Sequence, residues 1–421
     1  MGDTVIARPA YLNQLIRKQH NGMIKVITGL RRSGKTYLLF ELFDSYLKKQ
    51  GIPQDHIIKI ALDDRANIEY RNPDRLYQFV RRSVKDENMY YVLLDEVQMA
   101  PEFEDVLNSF LHIKNVDAYV TGSNAKFLSK DIITEFRGRG DQIHLYPLSF
   151  SEFMEQYKGD IRDGWSLFTL FGGLPKVVLT ESENDKASYL KTVIAETYIK
   201  DITERNKVLH PEELEELLNY LASGIGGLTN PKKLSDTFKS VKNKSLHQDT
   251  ISKYISYFED SFLVSKSLRY DVKGKKYIST PSKYYFTDLG LRNAQLDFRQ
   301  YEETHIMENA IYNELCIRGF SVDVGVVEQT VYGEDKKRSQ KQLEVDFVCN
   351  LASRRIYIQS ALAMPDREKE LQEQNSLVKI KDAFAKIIIT KDSPTHYNED
   401  GILILNLFDF MLGKNDRGIF S

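Results

Sequence analysis

Eight residues near the N-terminus have the types and spacing of a loop that wraps phosphate groups. They are Gly29, Leu30, Arg31, Arg32, Ser33, Gly34, Lys35 and Thr36, which fit the pattern G-x-x-x-x-G-K-[ST]. In this pattern backbone N–H groups surround phosphates at a helix start, the lysine adds positive charge and the threonine hydroxyl can bind Mg²⁺. The two glycines allow backbone angles and a close approach that a Cβ would prevent. The segment therefore predicts a site for ATP and Mg²⁺.

The neighbouring sequence predicts the elements that such a loop requires. Residues 23–28 form an apolar run that predicts a strand, and residues 35–49 have the apolar spacing of an amphipathic helix. A glycine-rich turn between strand and helix that binds nothing is the alternative interpretation. The order strand, loop, helix favours the phosphate site, because the mechanism needs the loop at a helix N-terminus.

A second apolar run, residues 90–94, ends in the two carboxylates Asp95 and Glu96. Ligands of open α/β sheets bind beyond the carboxyl ends of the strands, so both acids are expected beside the loop. Asp95 is expected to hold Mg²⁺, mostly through water, and Glu96 to orient and deprotonate an attacking water. Sixty residues separate Lys35 from Asp95, which allows their strands to be neighbours. The alternative is a pair of solvated charges.

Other polar side chains are weaker candidates for the same site. Asn124, after the predicted strand 118–121, either senses the γ-phosphate or positions water, and the alternative is that it caps a helix. Arg137 and Arg139 either supply a guanidinium to the transition state, from this chain or a neighbouring one, or form a solvated basic turn. Arg31 and Arg32 are further arginine candidates, with surface charge or adenosine contact as the alternatives.

The composition is that of a globular chain of two or three domains. It has 421 residues, 42% of them hydrophobic, and its net charge is 58 − 60 = −2. The two cysteines, Cys316 and Cys349, have no zinc-site or disulfide-scaffold spacing, and the eight histidines include no i, i+4 pair, so no structural metal is expected. Without a signal sequence or a long apolar run, the sequence predicts a cytoplasmic protein with no membrane contact.

Motifs along almost the whole chain resemble those of one family. They are GLRRSGKT, VLLDEVQ, VTGSNAKFLS, FRGRG, YPLSFSEF, GGLPKVV, the segment 198–205, KYYFTDLGLRNA and ENAIYNEL. In these motifs the chain resembles bacterial and archaeal ATP-binding proteins in which an AAA-type P-loop ATPase precedes a C-terminal domain of unknown function. The resemblance implies extra strands between the loop strand and the strand that ends at Asp95. It also implies that Asn124 is a sensor residue and that Arg137 or Arg139 is an arginine finger. It implies no substrate.

The order of predicted elements gives a fold class and four regions. Residues 1–150 are expected to form a P-loop NTPase core with a parallel α/β sheet, because short apolar runs alternate with helical stretches. Residues 151–225 predict a helical lid, 226–300 a winged helix-turn-helix, and 301–421 a small α/β domain. The client and the oligomeric state stay open, with a homo-oligomer or an unknown protein client as candidates.

The predicted winged helix carries an excess of positive charge. Between Leu228 and Gly290 there are 12 Lys or Arg and 6 Asp or Glu, a local charge of 12 − 6 = +6. Lys253 is expected on the second helix, and Lys273, Lys275 and Lys276 at the wing tip, where they could contact duplex DNA. The alternative is a protein-binding or lid module, as in many AAA-type machines. The aromatic residues 284–286 are expected to fill the core.

The last region has the element order of a restriction-endonuclease-like fold. Glu308 is expected on a helix, Glu344 and Asp346 on a strand, and the next strand continues into Gln359-Ser360-Ala361, where an active enzyme needs an acid and a lysine. We therefore expect a nuclease-like scaffold without efficient cleavage. The favoured function is ATP hydrolysis that switches the arrangement of the C-terminal domains. The alternatives are a nucleic-acid-binding ATP switch with little turnover and an ATP-regulated, metal-dependent nuclease.

Overall fold

The protein is described by a computed structural model, and the chain divides into two compact units. The N-terminal unit is Met1–Pro147 with Asp260–Phe262, and the C-terminal unit is Leu148–Glu259 with Leu263–Ser421. The described residues are 6–122, 138–242, 246–332, 338–415 and 418–420.

Five parallel strands form the sheet of the N-terminal unit, as the sequence predicts. They are β1 (Ile24–Gly29), β2 (Ile57–Ala61), β3 (Tyr90–Asp95), β4 (Val116–Thr121) and β5 (Gly140–Leu145). Their order across the sheet is β2-β3-β4-β1-β5. Every residue of β1 and of β3 is buried, because helices cover both faces of a sheet of this kind.

The strand order corrects one expectation from the sequence. Strand β4 lies between β1 and β3, so the loop strand and the strand that ends at Asp95 are not neighbours. The resemblance implies extra strands between these two, and β4 confirms that one strand is inserted there. Parallel pairing places Ile27 beside Thr121, and Leu94 beside Val120. The carboxyl ends of the three strands therefore lie side by side.

Helices pack two apolar clusters against the faces of this sheet. One cluster includes Leu76 and Val80 of a helix together with Val92 of β3, and the other includes Leu38 and Phe43 of the helix after the loop. The helical segments are Pro9–Arg17, Lys35–Tyr37, Leu38–Phe43 (a π-helical turn), Asp44–Lys49, Gln54–His56, Arg65–Arg71, Pro73–Ser83, Val97–Met99 and Phe103–Phe110.

The chain after residue 148 begins with the helical region that the sequence predicts. Its first helix starts with a capping box, in which Ser149 and Glu152 each bond the backbone of the other. The helical segments from here to the C-terminus are Phe150–Gln156, Ile161–Phe171, Pro175–Val178, Glu183–Thr192, Val193–Ile199, Lys200–Asn206, Pro211–Ser223, Pro231–Lys242, Gln248–Asp260, Leu289–Gln295, Glu303–Ile317, Arg367–Val378 and Leu407–Met411. The helices are interrupted at 172–174 and 224–227, where the glycine-rich segments are.

Two of the family motifs, GGLPKVV and KYYFTDLGLRNA, interlock in the C-terminal unit. The buried carboxylate of Asp288 accepts hydrogen bonds from the backbone N–H of Gly173 (2.8 Å) and of Leu291 (3.0 Å). Gly290 packs so closely that a Cβ there would lie 2.0 Å from the carbonyl oxygen of Phe171. These contacts hold a helix end and a helix start together, so both motifs have a structural role.

The second sheet has eight strands of mixed direction, in the order β12-β13-β11-β10-β9-β8-β6-β7. They are β6 (Val264–Asp271), β7 (Lys276–Phe286), β8 (Ser321–Tyr332), β9 (Arg338–Leu351), β10 (Arg354–Ala361), β11 (Ala385–Thr390), β12 (His396–Tyr397) and β13 (Leu403–Asn406). The hairpin β6–β7, which is the predicted wing, joins β8 through parallel pairing at residues 269–271. One sheet therefore continues across the predicted boundary at residue 300.

The described part of the chain contains no helix that is both long and apolar enough to span a membrane.

Tyr284, Tyr285 and Phe286 are 5%, 0% and 0% exposed, which confirms the prediction that they fill the core.

Candidate functional site

The phosphate loop lies where the sequence predicts it, between β1 and the helix that starts at Lys35. Gly29 has φ 134° and Gly34 has φ 99°, angles that favour glycine. A Cβ on Gly29 would lie 2.1 Å from the carbonyl oxygen of Leu145 in the neighbouring strand β5. Gly29 is therefore needed to pack the loop against the sheet, and Gly34 to turn the backbone into the helix.

The ammonium group of Lys35 is enclosed by the loop. Its side chain is 5% exposed, and Nζ donates to the carbonyl oxygens of Gly29 (3.0 Å) and Leu30 (3.1 Å). Burial lowers the pKa of Lys35 to about 8, while the carboxylates of Glu96 and Asp95 act in the opposite direction. A desolvated cation inside a loop of backbone amides fits an anionic ligand such as a phosphate group.

Three oxygen-bearing side chains meet at the carboxyl ends of β3 and β4. The hydroxyl of Thr36 donates to Asp95 Oδ2 at 2.8 Å, and the hydroxyl of Thr121 donates to Asp95 Oδ1. Asp95 is 3% exposed, and burial raises its pKa. Hydroxyl and carboxylate oxygens are the ligands that Mg²⁺ prefers, so Thr36 and Asp95 fit this ion.

Glu96 follows Asp95 at the same strand end, with a left-handed backbone (φ 53°). Its backbone N–H donates to the hydroxyl of Thr121 at 3.1 Å, and the side-chain amide of Gln98 donates to its Oε2. The carboxylate is thus held by its own turn and is only partly buried. This arrangement fits a group that must meet a water molecule beside the loop.

The four loop residues between Gly29 and Gly34 differ in burial. Leu30 and Ser33 are both fully buried. Arg31 is partly buried and Arg32 is exposed. Arg32 has φ 65°, a left-handed angle inside the loop.

Of the three outer candidates, only Arg139 belongs to the described residues, since Asn124 and Arg137 lie outside them. Arg139 is exposed, and its carbonyl oxygen accepts from the N–H of Ile24 at the amino end of β1. A six-residue strand is about 20 Å long, so Arg139 lies at the opposite end of the sheet from the loop. A finger role towards its own loop is not supported, and a role towards a neighbouring chain stays a prediction.

Thr121 and Gln98 are site residues that the sequence argument missed. Thr121 contacts both acids because β4 lies beside β3, and the strand order is not visible in the local sequence. One signal was present, since Thr121 is the last residue of a predicted strand. Gln98 follows Glu96 by two residues, but its contact depends on the left-handed turn at Glu96.

A second cluster of charged side chains lies in the C-terminal unit around Lys283 of β7. Its ammonium group is 2.8 Å from Glu308 Oε1, 2.7 Å from Glu344 Oε1 and 3.9 Å from Asp346 Oδ1. The hydroxyl of Tyr285 also donates to Glu308, at 2.7 Å. The structure thus brings together the three acids that the sequence singled out, and adds a lysine.

The charges in this cluster depend on one another. Burial acts to lower the pKa of Lys283, but the carboxylates, with Glu308 first among them, raise it, so this group is an ammonium ion. Burial and the proximity of Glu308 raise the pKa of Asp346 to about 8. Gln359 and Ala361 lie on β10, the strand on which an active nuclease would carry its lysine. In this chain the lysine that contacts the acids is Lys283 of β7. In the described part of the chain, no three or more His, Cys, Asp or Glu side chains are grouped to hold a metal ion.

Two family models match successive parts of the chain. Residues 21–154 match a family model described as an AAA domain, and residues 162–302 match one described as a domain of unknown function. The Walker-type ATPase of Pyrococcus abyssi superposes with a TM-score of 0.50 at 13% identity, covering 69% of this chain and 96% of that one. At this identity the likeness shows the fold alone.

Two relatives extend over most of the chain. An uncharacterized protein of Methanocaldococcus jannaschii is 28% identical over 348 residues, which is 77% of this chain and 75% of that protein. An uncharacterized protein of Haemophilus influenzae is 32% identical over 418 residues, which is 98% of this chain and 100% of that protein. The chain therefore belongs to the same family as the Haemophilus influenzae protein, and it carries an AAA-type P-loop ATPase domain at residues 21–154.

Proposed function

We propose that the protein binds Mg-ATP at residues 29–36 and hydrolyses it. The observation that carries this proposal is the desolvated ammonium group of Lys35 inside the loop. A buried ammonium group without hydrogen-bond acceptors would be costly, and here the loop gives it two neutral carbonyl oxygens. The phosphates of ATP would supply the negative charge that this arrangement favours.

The chain's own groups have separate tasks in this proposal. Lys35 and the loop N–H groups bind the outer phosphates, and Thr36 and Asp95 hold the cation. When bound, Mg²⁺ would neutralise charge that develops on the phosphate oxygens. Glu96 takes a proton from a water molecule, whose oxygen bonds to the γ-phosphorus while the bond to the bridging oxygen breaks. The products are ADP and inorganic phosphate.

We propose that this hydrolysis switches the arrangement of the regions after residue 150, namely the lid 151–225, the winged helix 226–300 and the domain 301–421.

The experiment is to measure phosphate release with Mg²⁺ and with EDTA, each with and without duplex DNA. Molar mass in solution, with and without nucleotide, would show whether a homo-oligomer forms. A Mg²⁺-dependent rate supports an ATPase. Tight ATP binding without release would favour the alternative of a nucleic-acid-binding switch with little turnover.

Duplex DNA is the proposed partner of the hairpin β6–β7 and the helix before it. Lys273, Lys275 and Lys276 are exposed at the hairpin turn, which Asp271 forms by accepting hydrogen bonds from two backbone N–H groups. Lys253 is exposed on the helix Gln248–Asp260. Lys283, counted in the basic excess of the sequence, is buried among carboxylates and contributes nothing to this surface.

The double variant Lys273→Ala/Lys275→Ala is expected to bind duplex DNA more weakly and to lower the salt slope. Each phosphate contact that is lost should reduce the slope of log affinity against log salt by about 0.9. Fluorescence anisotropy at several salt concentrations measures both effects. The control is Lys379→Ala/Lys381→Ala, which removes the same charge from exposed positions elsewhere. Equal behaviour of the two variants would exclude the hairpin as the contact surface.

We propose that residues 301–421 form a nuclease-like scaffold without efficient cleavage. The ammonium group of Lys283 lies in direct contact with Glu308 and Glu344, so it already neutralises carboxylates that would otherwise bind a cation. Gln359 and Ala361 supply neither a carboxylate nor a charge.

Plasmid DNA incubated with the protein and Mg²⁺ or Mn²⁺ is therefore expected to stay supercoiled. Gel electrophoresis over hours measures nicking and linearisation. The informative comparison is Asp346→Ala with Asp323→Ala, a largely buried acid that is bonded to Tyr277 and belongs to no such cluster. Cleavage that Asp346→Ala abolishes and Asp323→Ala retains would establish the alternative, a metal-dependent nuclease.

A further inference from the structure

The guanidinium group of Arg8 contacts two distant segments of the N-terminal unit. Nη1 lies 3.4 Å from the carbonyl oxygen of Ser33, inside the phosphate loop. Nη2 lies 2.9 Å from the carbonyl oxygen of Tyr146 and 3.5 Å from that of Pro147. The residue is 4% exposed, so these contacts are made out of water, where a charge-assisted hydrogen bond is strong.

The backbone around Arg8 fixes the position of this side chain. Arg8 has a left-handed backbone (φ 44°), and its carbonyl oxygen accepts from the N–H groups of Tyr11 and Leu12 at the start of the helix Pro9–Arg17. The guanidinium group also lies over the ring of Tyr11, 4.6 Å from its centre, and the hydroxyl of Tyr11 accepts from the N–H of Tyr146. Arg8 and Tyr11 thus hold the same stretch of chain.

The contact with Ser33 bears on the orientation of one peptide in the loop. A trans peptide is planar, so the carbonyl of Ser33 and the N–H of Gly34 point in opposite directions. A donor on the carbonyl side keeps that oxygen turned towards Arg8, and therefore keeps the N–H of Gly34 turned away from it. In a loop of this pattern the N–H groups must face the phosphates. Arg8 favours that orientation before ATP binds.

The other two contacts are with the end of the ATPase unit. Tyr146 and Pro147 follow β5, and the C-terminal unit begins at Leu148. One planar guanidinium group therefore joins the loop that would bind ATP to the segment through which the chain leaves this unit. Lysine cannot replace it, because a single ammonium is a point charge without the fixed fork of donors.

We propose that Arg8 is a positioning residue that presets the Ser33–Gly34 peptide for the ATP phosphates and couples their binding to residues 146–147. This inference rests on the proposed function, since it requires that ATP binds the loop. In this proposal Arg8 acts on ATP only through the Ser33–Gly34 peptide and does not contact ATP itself.

Two measurements on the full chain test the coupling. The first is the affinity for a fluorescent, non-hydrolysable ATP analogue with Mg²⁺. The second is hydrogen exchange in peptides that cover 29–36 and 144–150, with and without that analogue. The variants are Arg8→Ala and Arg8→Lys, and the control is Arg17→Ala, which removes the same charge from an exposed position on the same helix.

In the wild type and in Arg17→Ala, the analogue is expected to slow exchange in both peptides. In both Arg8 variants the affinity should fall about tenfold, the effect of losing one charge-assisted hydrogen bond. In these variants the analogue should no longer slow hydrogen exchange in the peptide 144–150, but it should still slow exchange in the peptide 29–36. A purely structural role for Arg8 would not separate the two peptides in this way. Arg8→Lys keeps the charge and the stem, so it tests the proposal even where Arg8→Ala does not fold.

The outcomes separate this inference from the proposed function. If either folded Arg8 variant binds the analogue with wild-type affinity and the analogue still slows exchange in 144–150, the inference is wrong. The proposed ATP site is then unaffected. If the wild type itself does not bind the analogue, the proposed function and the inference are both wrong. If wild-type binding slows exchange in 29–36 alone, the loop binds ATP but the coupling does not exist.

Discussion

Lys35→Ala is expected to weaken ATP binding by roughly a hundredfold or more, the effect of removing one partner of a desolvated charge contact. The ammonium group is 5% exposed and lies within the loop, so no solvent-exposed cation can substitute for it. Isothermal titration with a non-hydrolysable ATP analogue and Mg²⁺ measures the loss. The folded apo form should not be destabilised, because burial disfavours the charge of Lys35, as its lowered pKa indicates.

The control for this variant is Lys49→Ala, which removes an exposed lysine from the helical segment that ends at Lys49. That variant should bind the analogue like the wild type, because Lys49 is exposed and follows the last loop residue, Thr36, by 13 residues. Equal affinity of Lys35→Ala and Lys49→Ala would show that the loop does not grip phosphate.

Glu96→Gln is expected to bind ATP like the wild type and to hydrolyse it on the order of 10²- to 10⁴-fold more slowly, the typical contribution of a general base. The amide keeps the size of the side chain and an oxygen that can accept from Gln98. It cannot take a proton from water. Single-turnover phosphate release and a separate affinity measurement distinguish the loss of chemistry from a loss of binding.

A matched control is Glu102→Gln, an exposed glutamate that also has a left-handed backbone (φ 53°). It should hydrolyse ATP at the wild-type rate. If Glu96→Gln does so as well, another group activates the water. If neither the wild type nor the variant releases phosphate although both bind ATP, the protein is a nucleotide-dependent switch with little turnover.

The local part of this site could be predicted from the sequence, and its non-local part could not. The loop at 29–36 and the acids at 95–96 are each continuous in sequence, so strand, turn and charge patterns were sufficient to find them. Thr121 belongs to the site only because β4 is inserted between β1 and β3. Arg8 contacts Ser33 of the loop, 25 residues away, and Tyr146 after β5, 138 residues away, and nothing in the sequence around Arg8 indicates either contact.

Other differences have similar physical origins. Arg139 directly precedes a parallel strand, so a position at the amino end of the sheet could have been inferred once that strand was assigned to the same direction as β1. Lys283 could not be connected with Glu308, Glu344 and Asp346, because the contact depends on packing between β7, a helix and β9. The hairpin β6–β7 was expected as the wing of the winged helix, but its pairing with β8 was not.

A crystal structure of the protein with a non-hydrolysable ATP analogue and Mg²⁺ tests the central claim most directly. The phosphate groups are expected to be enclosed by the backbone N–H groups of 29–36, with Lys35 at the outer phosphates and the cation at Thr36 and Asp95. A fully occupied analogue bound elsewhere, with Lys35 still donating to the carbonyls of Gly29 and Leu30, would contradict it.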